Sequence, residues 1–310
     1  MKKKIIKIEN LNKFFIINRK KFKVNKNINF SIFKGETLSI IGESGSGKST
    51  LARIIVQLQK SDSGKIFYYS ENHFVYDLNK LKKREIISLR NEIQIIFQNS
   101  LTTINPKFRI KDIIGEGLII QKKVKNKKDI KYKQKIVEIM KLCGISLDLM
   151  DRFPNELSGG QRQRVNIAKT LILKPKFVIC DEIVSALDVT IQKQILDLLN
   201  FFKNKYKITY LFISHDLGVS RFISDRIGVM YKGHLVELAN KEEIFQNPLH
   251  FYTRKMLRAI PKMNDNYIDN NMNNQKEEDQ QQIIKEEKHF EQNEEKLMFQ
   301  KIKKGHFVLK

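Results

Sequence analysis

The sequence predicts an α/β domain, and three observations predict it. Short apolar runs recur between stretches of helical periodicity. Most of those runs are continuous rather than alternating, and one leads through a glycine-rich segment directly into a helix. A continuous apolar run suits a strand buried on both faces, as in a parallel sheet covered by helices. Candidate strands are TLSII (37–41), IQIIF (93–97), KFVIC (176–180), ITYLFI (208–213) and RIGVM (226–230). Helical patterns lie between them, over Lys48 to about Gln59, Arg162–Leu173 and Val189 to about Asn204. Strand and helix in alternation define the class. Residues 109–156 have helical character and no convincing strand, so a helical subdomain (about 99–165) is expected within a domain running 1–261. No internal repeat is found, so one copy of the unit is expected. Beyond Pro261 the composition turns polar and acid-rich, which reads as a linker or solvated helix. The close, MFQKIKKGHFVLK, regains apolar character and suits a terminal strand in this extension (262–310).

At 310 residues with 41% hydrophobic content, the chain can bury a sizeable core. No run approaches the roughly 18 apolar residues of a membrane span, and MKKKIIKIEN lacks the apolar centre of a secretory signal. Two cysteines, Cys143 and Cys180, read as reduced thiols, so a cytosolic location is expected. The net charge is +24, and the last 49 residues, with 9 Lys and 10 acids, contribute none of the excess. A basic domain suits nucleic acid or an anionic membrane surface. A genome rich in A and T, which inflates Lys, Ile and Asn together, explains the same charge, and the scatter of the lysines fits it.

The segment GESGSGKST (42–50) follows the strand TLSII and opens the next helix. It fits G-x-x-x-x-G-K-[ST], with Gly42, Glu43, Ser44, Gly45, Ser46, Gly47, Lys48, Ser49 and Thr50 forming the turn. Glycines let successive N–H groups curl around an anion, and the helix N-terminus adds partial positive charge. Lys48 is expected at the β- and γ-phosphates and the Ser49 hydroxyl on Mg²⁺, which makes this a nucleoside triphosphate site. Such a site needs a second Mg²⁺ partner and a group to handle the attacking water. KFVICDEI supplies both at a strand's carboxyl end: Asp181 for the Mg²⁺ shell and Glu182 for the water. Alone, that pair reads as solvated acids at a strand end; beside a phosphate cradle it reads as chemistry. His215 ends the strand of ITYLFISHD as a γ-phosphate contact, and Gln98 follows IQIIF with an amide for Mg²⁺ or water.

A second glycine-rich stretch, LSGGQ (157–161), opens a helix with Ser158 as a favoured N-cap. Its bare glycines, Gly159 and Gly160, would let a phosphate approach free N–H groups closely. The chain therefore carries two candidate anion sites, and one triphosphate bridging two copies would use both.

With LSGGQ beyond the cradle, the sequence resembles the ATP-binding cassette (ABC) ATPases. The resemblance implies a cassette with a mixed core sheet, an antiparallel β part and a helical subdomain. It also implies a head-to-tail dimer in which Ser158, Gly159, Gly160 and Gln161 bind the ATP of the partner subunit. SALD (185–188) is similar to the family's D-loop, placing Asp188 at the dimer interface. By the same resemblance Gln98 is the Q-loop residue, Glu182 the catalytic carboxylate and His215 the switch histidine. An aromatic residue before the cradle stacks on adenine in the family; Phe15 of LNKFF is the choice here over Phe14.

Within the family the chain is most similar to the ATPases of oligopeptide and dipeptide importers, especially the second of their two ATPase subunits. IIFQNSLTTINPKFRI (95–110), CDEIVSALDVTIQKQILDLL (180–199), SDRIGVMYKGHLVELA (224–239) and NPLHFYTRKML (247–257) carry that similarity. It implies a second ATPase subunit and two transmembrane permeases as partners, with an extracytoplasmic solute-binding protein acting indirectly. It also implies a peripheral position on the cytoplasmic face of the membrane. Nucleic acid is not expected as a partner; a soluble ABC ATPase acting on nucleic acid or ribosomes is the alternative that the charge suggests. Two residues depart from the pattern: Ile183 stands where the family has Pro after the catalytic Glu, and Phe251 replaces a Pro in NPLHFYT.

Overall fold

The computed structural model describes residues 2–72, 74–98, 103–259, 271–293, 297–303 and 305–309. The expected boundary at 261–262 and residues 99–102 of the expected helical subdomain lie outside them.

Strands β1 (Lys4–Ile17) and β2 (Lys20–Phe33) form a long antiparallel hairpin, with Ile6, Ile8, Ile28 and Ile32 on its buried face. β3 (Thr37–Ile41) is buried along its whole length and runs through the glycine-rich turn into α1 (Lys48–Ile55). β4 (Ser63–Tyr69) and β5 (Val75–Asp77) extend the hairpin into a four-stranded sheet, order β2-β1-β4-β5. α2 (Lys83–Leu89) leads to β6 (Ile93–Ile96). α3 (Ile110–Ile120) and α4 (Ile130–Leu142) stand between β6 and α5 (Gly159–Leu171), the helix opened by LSGGQ. Then come β7 (Phe177–Asp181), α6 (Val189–Tyr206), β8 (Thr209–Ser214), α7 (Leu217–Ile223), β9 (Arg226–Tyr231) and β10 (His234–Asn240). The chain closes with α8 (Lys241–Gln246), α9 (Phe251–Arg258), α10 (Asn271–Asn293), β11 (Phe299–Lys303) and β12 (His306–Leu309).

The second sheet has eight strands among the described residues, order β11-β12-β10-β9-β3-β8-β7-β6. β9, β3, β8, β7 and β6 are parallel, and the others join antiparallel, so the sheet is mixed. Its central strands explain the non-alternating apolar runs. Val178, Cys180, Tyr210 and Phe212 face the core shared with α3–α6, while Phe177, Ile179, Leu211 and Ile213 face the core under the four-stranded sheet. Each strand is buried on both sides, and each contributes to two cores.

The C-terminal part corrects one expectation. Residues 271–293 are helical, but this is no freely solvated helix: Ile283 and Phe290 are buried in a third core with Tyr231, Phe251 and Tyr252. Two apolar residues seven positions apart share one helical face. An aromatic cluster already formed by β9 and α9 gives that face somewhere to dock. Arg254–Glu286 (2.6 Å) and Lys255–Glu287 (3.5 Å) fix it from the side. The terminal stretch forms two strands rather than one, and β12 pairs with β10.

Fully buried Glu237 of β10 holds this region. Its carboxylate accepts from the backbone N–H groups of Leu249 (2.9 Å) and His250 (3.0 Å) and pairs with His306 Nε2 (2.7 Å). Glu237→Ala strips three partners of their acceptor at once. It is expected to lower unfolding free energy by about 3 kcal/mol, read as a lower denaturant midpoint with little change in slope.

Candidate nucleotide site

The carboxyl ends of β3, β8, β7 and β6, neighbours in the sheet, deliver the predicted residues to one edge. From β3 the chain turns through 42–47 with φ of 155° at Gly42, 82° at Gly45 and 100° at Gly47. Two of these glycines are demanded by close approach as well. A Cβ on Gly42 would meet the Met230 carbonyl oxygen at 2.2 Å, and one on Gly47 would meet the Val24 carbonyl oxygen at 2.4 Å. Glu43, Ser44 and Gly45 form the exposed rim, while Ser46, Gly47 and Lys48 are buried. The Lys48 ammonium donates to the carbonyls of Gly42 and Glu43 at 2.7 Å each. Burial pushes Lys48 below its ordinary value, and the carboxylates of Glu182, Asp181 and Glu43 oppose that. Ser49 and Thr50 lie in the first turn of α1, half-buried.

The two residues predicted to flank the metal meet: the Ser49 hydroxyl donates to Asp181 Oδ1 at 2.8 Å. Burial raises the Asp181 carboxyl above its ordinary value, the Ser49 bond opposes this, and neighbouring Glu182 adds to the rise. Crowded, half-desolvated carboxylates of one sign are relieved by a bound cation. A hydroxyl and a carboxylate in contact form the hard-oxygen donor set that Mg²⁺ takes, so the residues fit the ion. The third proposed ligand, Gln98, lies with a different partner: its amide nitrogen donates to Glu182 Oε2 at 3.0 Å and to Ser185 Oγ at 3.3 Å. His215 Nδ1 stands 3.5 Å from the same Glu182 oxygen. One carboxylate oxygen therefore gathers residues from the ends of β6, β7 and β8.

Glu182 adopts φ 50°, a left-handed conformation that costs a non-glycine residue about 1–2 kcal/mol. The surroundings hold it there. Its N–H donates to the Ile213 carbonyl at 3.0 Å, and the Ser185 hydroxyl donates to its carbonyl at 2.9 Å. Ile183, the residue in the place of the family's proline, is 2% exposed and packed in the core. Burial of that side chain anchors the loop where a proline ring would stiffen it.

The second glycine pair resolves into two cases. Ser158 caps α5: Gln161 N–H donates to its Oγ at 3.3 Å, and its own N–H donates to Gln161 Oε1 at 2.9 Å. Gly160 is bare for a local reason, because a Cβ there would meet Ile191 Cγ2 at 2.9 Å. Gly159 has no such constraint; its nearest atom would be Leu187 Cδ2 at 3.8 Å, ordinary contact. Nothing among the described residues requires Gly159 to be bare. Asp188, expected at an interface, caps α6 of its own chain through Ile191 N–H at 2.9 Å. Phe15 pairs with Phe22 across the β1–β2 hairpin, whose backbone at Val24–Asn25 touches Gly47. The hairpin thus borders the cradle at Val24 and Asn25, and Phe14 and Phe15 lie further along it, opposite Lys23 and Phe22.

Two residues at the site were not read from the sequence. Asn25, fully buried on β2, donates to the Gly47 carbonyl at 3.1 Å. Tyr252 accepts from the Glu43 N–H at 3.0 Å. Asn25 carries no local signal, because the contact crosses 22 residues and depends on the hairpin. Tyr252 lies in NPLHFYT, which was singled out only as a subfamily mark.

This turn, between a buried parallel strand and a helix, with two carboxylates at the end of β7, one strand beyond the neighbouring β8, defines a P-loop nucleotide-binding protein. Within that class the chain belongs to the ABC transporter family, whose model, described as "ABC transporter", matches residues 25–185. A further model, "Oligopeptide/dipeptide transporter, C-terminal region", matches residues 236–292. The oligopeptide transport ATP-binding protein OppF of Bacillus subtilis is 38% identical over 309 residues, covering 100% of this chain and 97% of the relative. The oligopeptide transport ATP-binding protein AmiF of Streptococcus pneumoniae is 44% identical over 262 residues, covering 84% and 83%. The dipeptide transport ATP-binding protein DppF of Lactococcus lactis is 41% identical over 264 residues, covering 84% and 82%. Among solved structures, a dimeric ATP-binding cassette in a post-hydrolysis state bound to ADP and Pi is 28% identical with TM-score 0.68, covering 76% of this chain and 99% of that one. CbiO1 of Clostridium perfringens, described as part of an ABC transporter complex, is 27% identical with TM-score 0.68, covering 84% and 96%. The chain is thus an ABC ATPase cassette with a nucleotide site, and its expected mixed sheet, antiparallel sheet and helices are present.

Proposed function

We propose that this chain is the energy-coupling ATPase of a peptide importer, working as one of two cassettes beneath two permease subunits at the cytoplasmic face of the membrane. The observation that carries the reading is the match of residues 236–292 to the oligopeptide/dipeptide transporter C-terminal region, a segment reaching from β10 into α10. The relatives named above are ATP-binding proteins of oligopeptide or dipeptide transport. No described helix is long and apolar enough to cross a membrane, which accords with a subunit held there by partners.

In this reading residues 42–50 hold the phosphates of one ATP, and Lys48 neutralises charge on its β- and γ-phosphates. Ser49 and Asp181 hold Mg²⁺, which when bound would offset negative charge on the transferring phosphoryl group. Glu182 takes the proton of the attacking water, with Gln98 and His215 orienting its carboxylate and the water. Phe15 lies against the adenine. Ser158–Gln161 meet the ATP held by the partner cassette, and Asp188 lies at that interface while capping its own helix. With 1–261 as the cassette and 262–310 as an extension, the surface around Gln98 to Arg109, together with the helical subdomain (about 99–165), receives a cytoplasmic helix of the permease.

The open side of Gly159 supports a trans contact and supplies a test. Gly159→Ala is expected to leave the thermal midpoint unchanged and to cut hydrolysis about tenfold or more, since a methyl group there stands off the partner's phosphate. Gly160→Ala is expected to lower the midpoint as well, because Ile191 must move. The whole assignment is tested by gentle solubilisation of native membranes and capture of the tagged chain. Two multi-span proteins and a second LSGGQ-bearing subunit are expected, with uptake of labelled peptides lost when this chain is deleted. Recovery with ribosomes or nucleic acid and no membrane protein refutes import.

A further inference from the structure

The two peptide groups that flank Glu43 are both held. Its carbonyl accepts from the Lys48 ammonium at 2.7 Å, and its N–H donates to the Tyr252 hydroxyl at 3.0 Å. Glu43 is exposed, and the same Tyr252 hydroxyl that holds its N–H also meets its carboxylate. Tyr252 is fully buried at the start of α9, more than 200 residues away in sequence, |i−j| being 209. Its ring stacks on Tyr231 with centroids 4.3 Å apart and planes at 28°. The Tyr231 hydroxyl donates to Glu287 Oε1 of α10 at 2.6 Å. Tyr231 also follows Met230, whose carbonyl is the atom that keeps Gly42 bare. The hydroxyl of Tyr252 is thus rigidly presented to a turn otherwise built from permissive glycines. Without that hydroxyl the Glu43 N–H has no acceptor among the described contacts, and the Gly42–Glu43 peptide keeps only the Lys48 bond on its carbonyl, so the aim of the amides that follow loosens.

We propose that Tyr252 is a positioning residue of the phosphate cradle: its hydroxyl sets the Glu43 peptide and through it the orientation of the amides that receive the phosphates. The proposal rests on the reading of residues 42–50 as the triphosphate site. Tyr252→Phe in the full-length protein keeps the ring and its stacking and removes only the hydroxyl, and with it the bonds to the Glu43 N–H and the Glu43 carboxylate. Titration with a fluorescent ATP analogue and steady-state hydrolysis are expected to show Kd and KM rising together by about three- to tenfold. The value of kcat should stay within about twofold, since Tyr252 touches no reacting atom. A merely structural tyrosine predicts the opposite split: a lower thermal midpoint and lower kcat from a smaller active fraction, with Kd unchanged. That result overturns the proposal. Lys48→Ala, run beside it, separates the two readings. Wild-type ATP affinity in that variant defeats the cradle itself, whereas lost affinity there with unchanged affinity in Tyr252→Phe defeats only the role of Tyr252.

Discussion

Glu182→Gln is expected to cut ATP turnover by about 10²- to 10⁴-fold, the range contributed by a positioned general base, while ATP binding persists. The substitution is nearly isosteric. The backbone at φ 50°, the N–H bond to Ile213 and the Ser185 contact do not involve the carboxylate, so the loop keeps its shape. What changes is Oε2, which receives the Gln98 amide at 3.0 Å and lies 3.5 Å from His215 Nδ1. An amide there has no basic oxygen to take a proton from water, and its NH₂ faces the Gln98 NH₂ unless one of them turns. Single-turnover phosphate release measures the chemical step, and size-exclusion chromatography in ATP measures closure. Turnover near the wild-type rate would show that another group handles the water. Slow release together with a lasting ATP-bound dimer fits Glu182 as the base.

The candidate site's edge was legible in the sequence because it is built from strand ends. An apolar run that stops at a charged or amide residue announces both the strand and the point where it meets the ligand edge. Asp181, Glu182, His215 and Gln98 all lie within two residues of such a stop. What the pattern could not give is how those side chains pair. Gln98 reads equally well toward the metal or the water, and only the three-dimensional arrangement puts its amide on Glu182. Helix ends slipped for a related reason. The pattern extends α1 to Gln59, but the helix stops at Ile55, because Gln57 takes a left-handed φ of 59° and the Leu58 and Gln59 N–H groups turn back to the Arg53 carbonyl.

The C-terminal extension was misread on composition. Its average is polar, and a polar average predicts solvation, yet Ile283 and Phe290 bury against Tyr231, His250 and Phe251. Residues that dock on a surface formed by distant strands carry no clear periodic signal when, among the described side chains of α10, two are buried. The same holds for Tyr252, whose role depends on a partner across the sheet. A further consequence is energetic. The aromatic cluster joins α10 to the strand that also borders Gly42, so the extension and the cradle share one rigid support.

Lys48→Ala is expected to lower ATP affinity by roughly 10- to 150-fold, the equivalent of one lost charge-assisted bond of about 1.5–3 kcal/mol. Lys48 is 4% exposed, and among the described residues it donates to the Gly42 and Glu43 carbonyls and to Ser46 Oγ. Asp181, Glu182 and Glu43 all act electrostatically on this ammonium, so its removal leaves the cradle facing carboxylates without their balancing cation. A triphosphate then meets net repulsion where it met attraction. The loss should grade with charge, so that AMP affinity changes far less than ATP affinity. That gradient distinguishes a lost phosphate contact from general misfolding, which would lower all nucleotides together and shift the thermal midpoint of the free chain. Isothermal titration with ATP, ADP and AMP reads it directly. Equal affinities for ATP in the variant and the wild type would remove residues 42–50 from the nucleotide site. Loss of binding in Lys48→Ala alongside retained binding in Glu182→Gln would divide the site into a cradle that holds and a carboxylate that reacts.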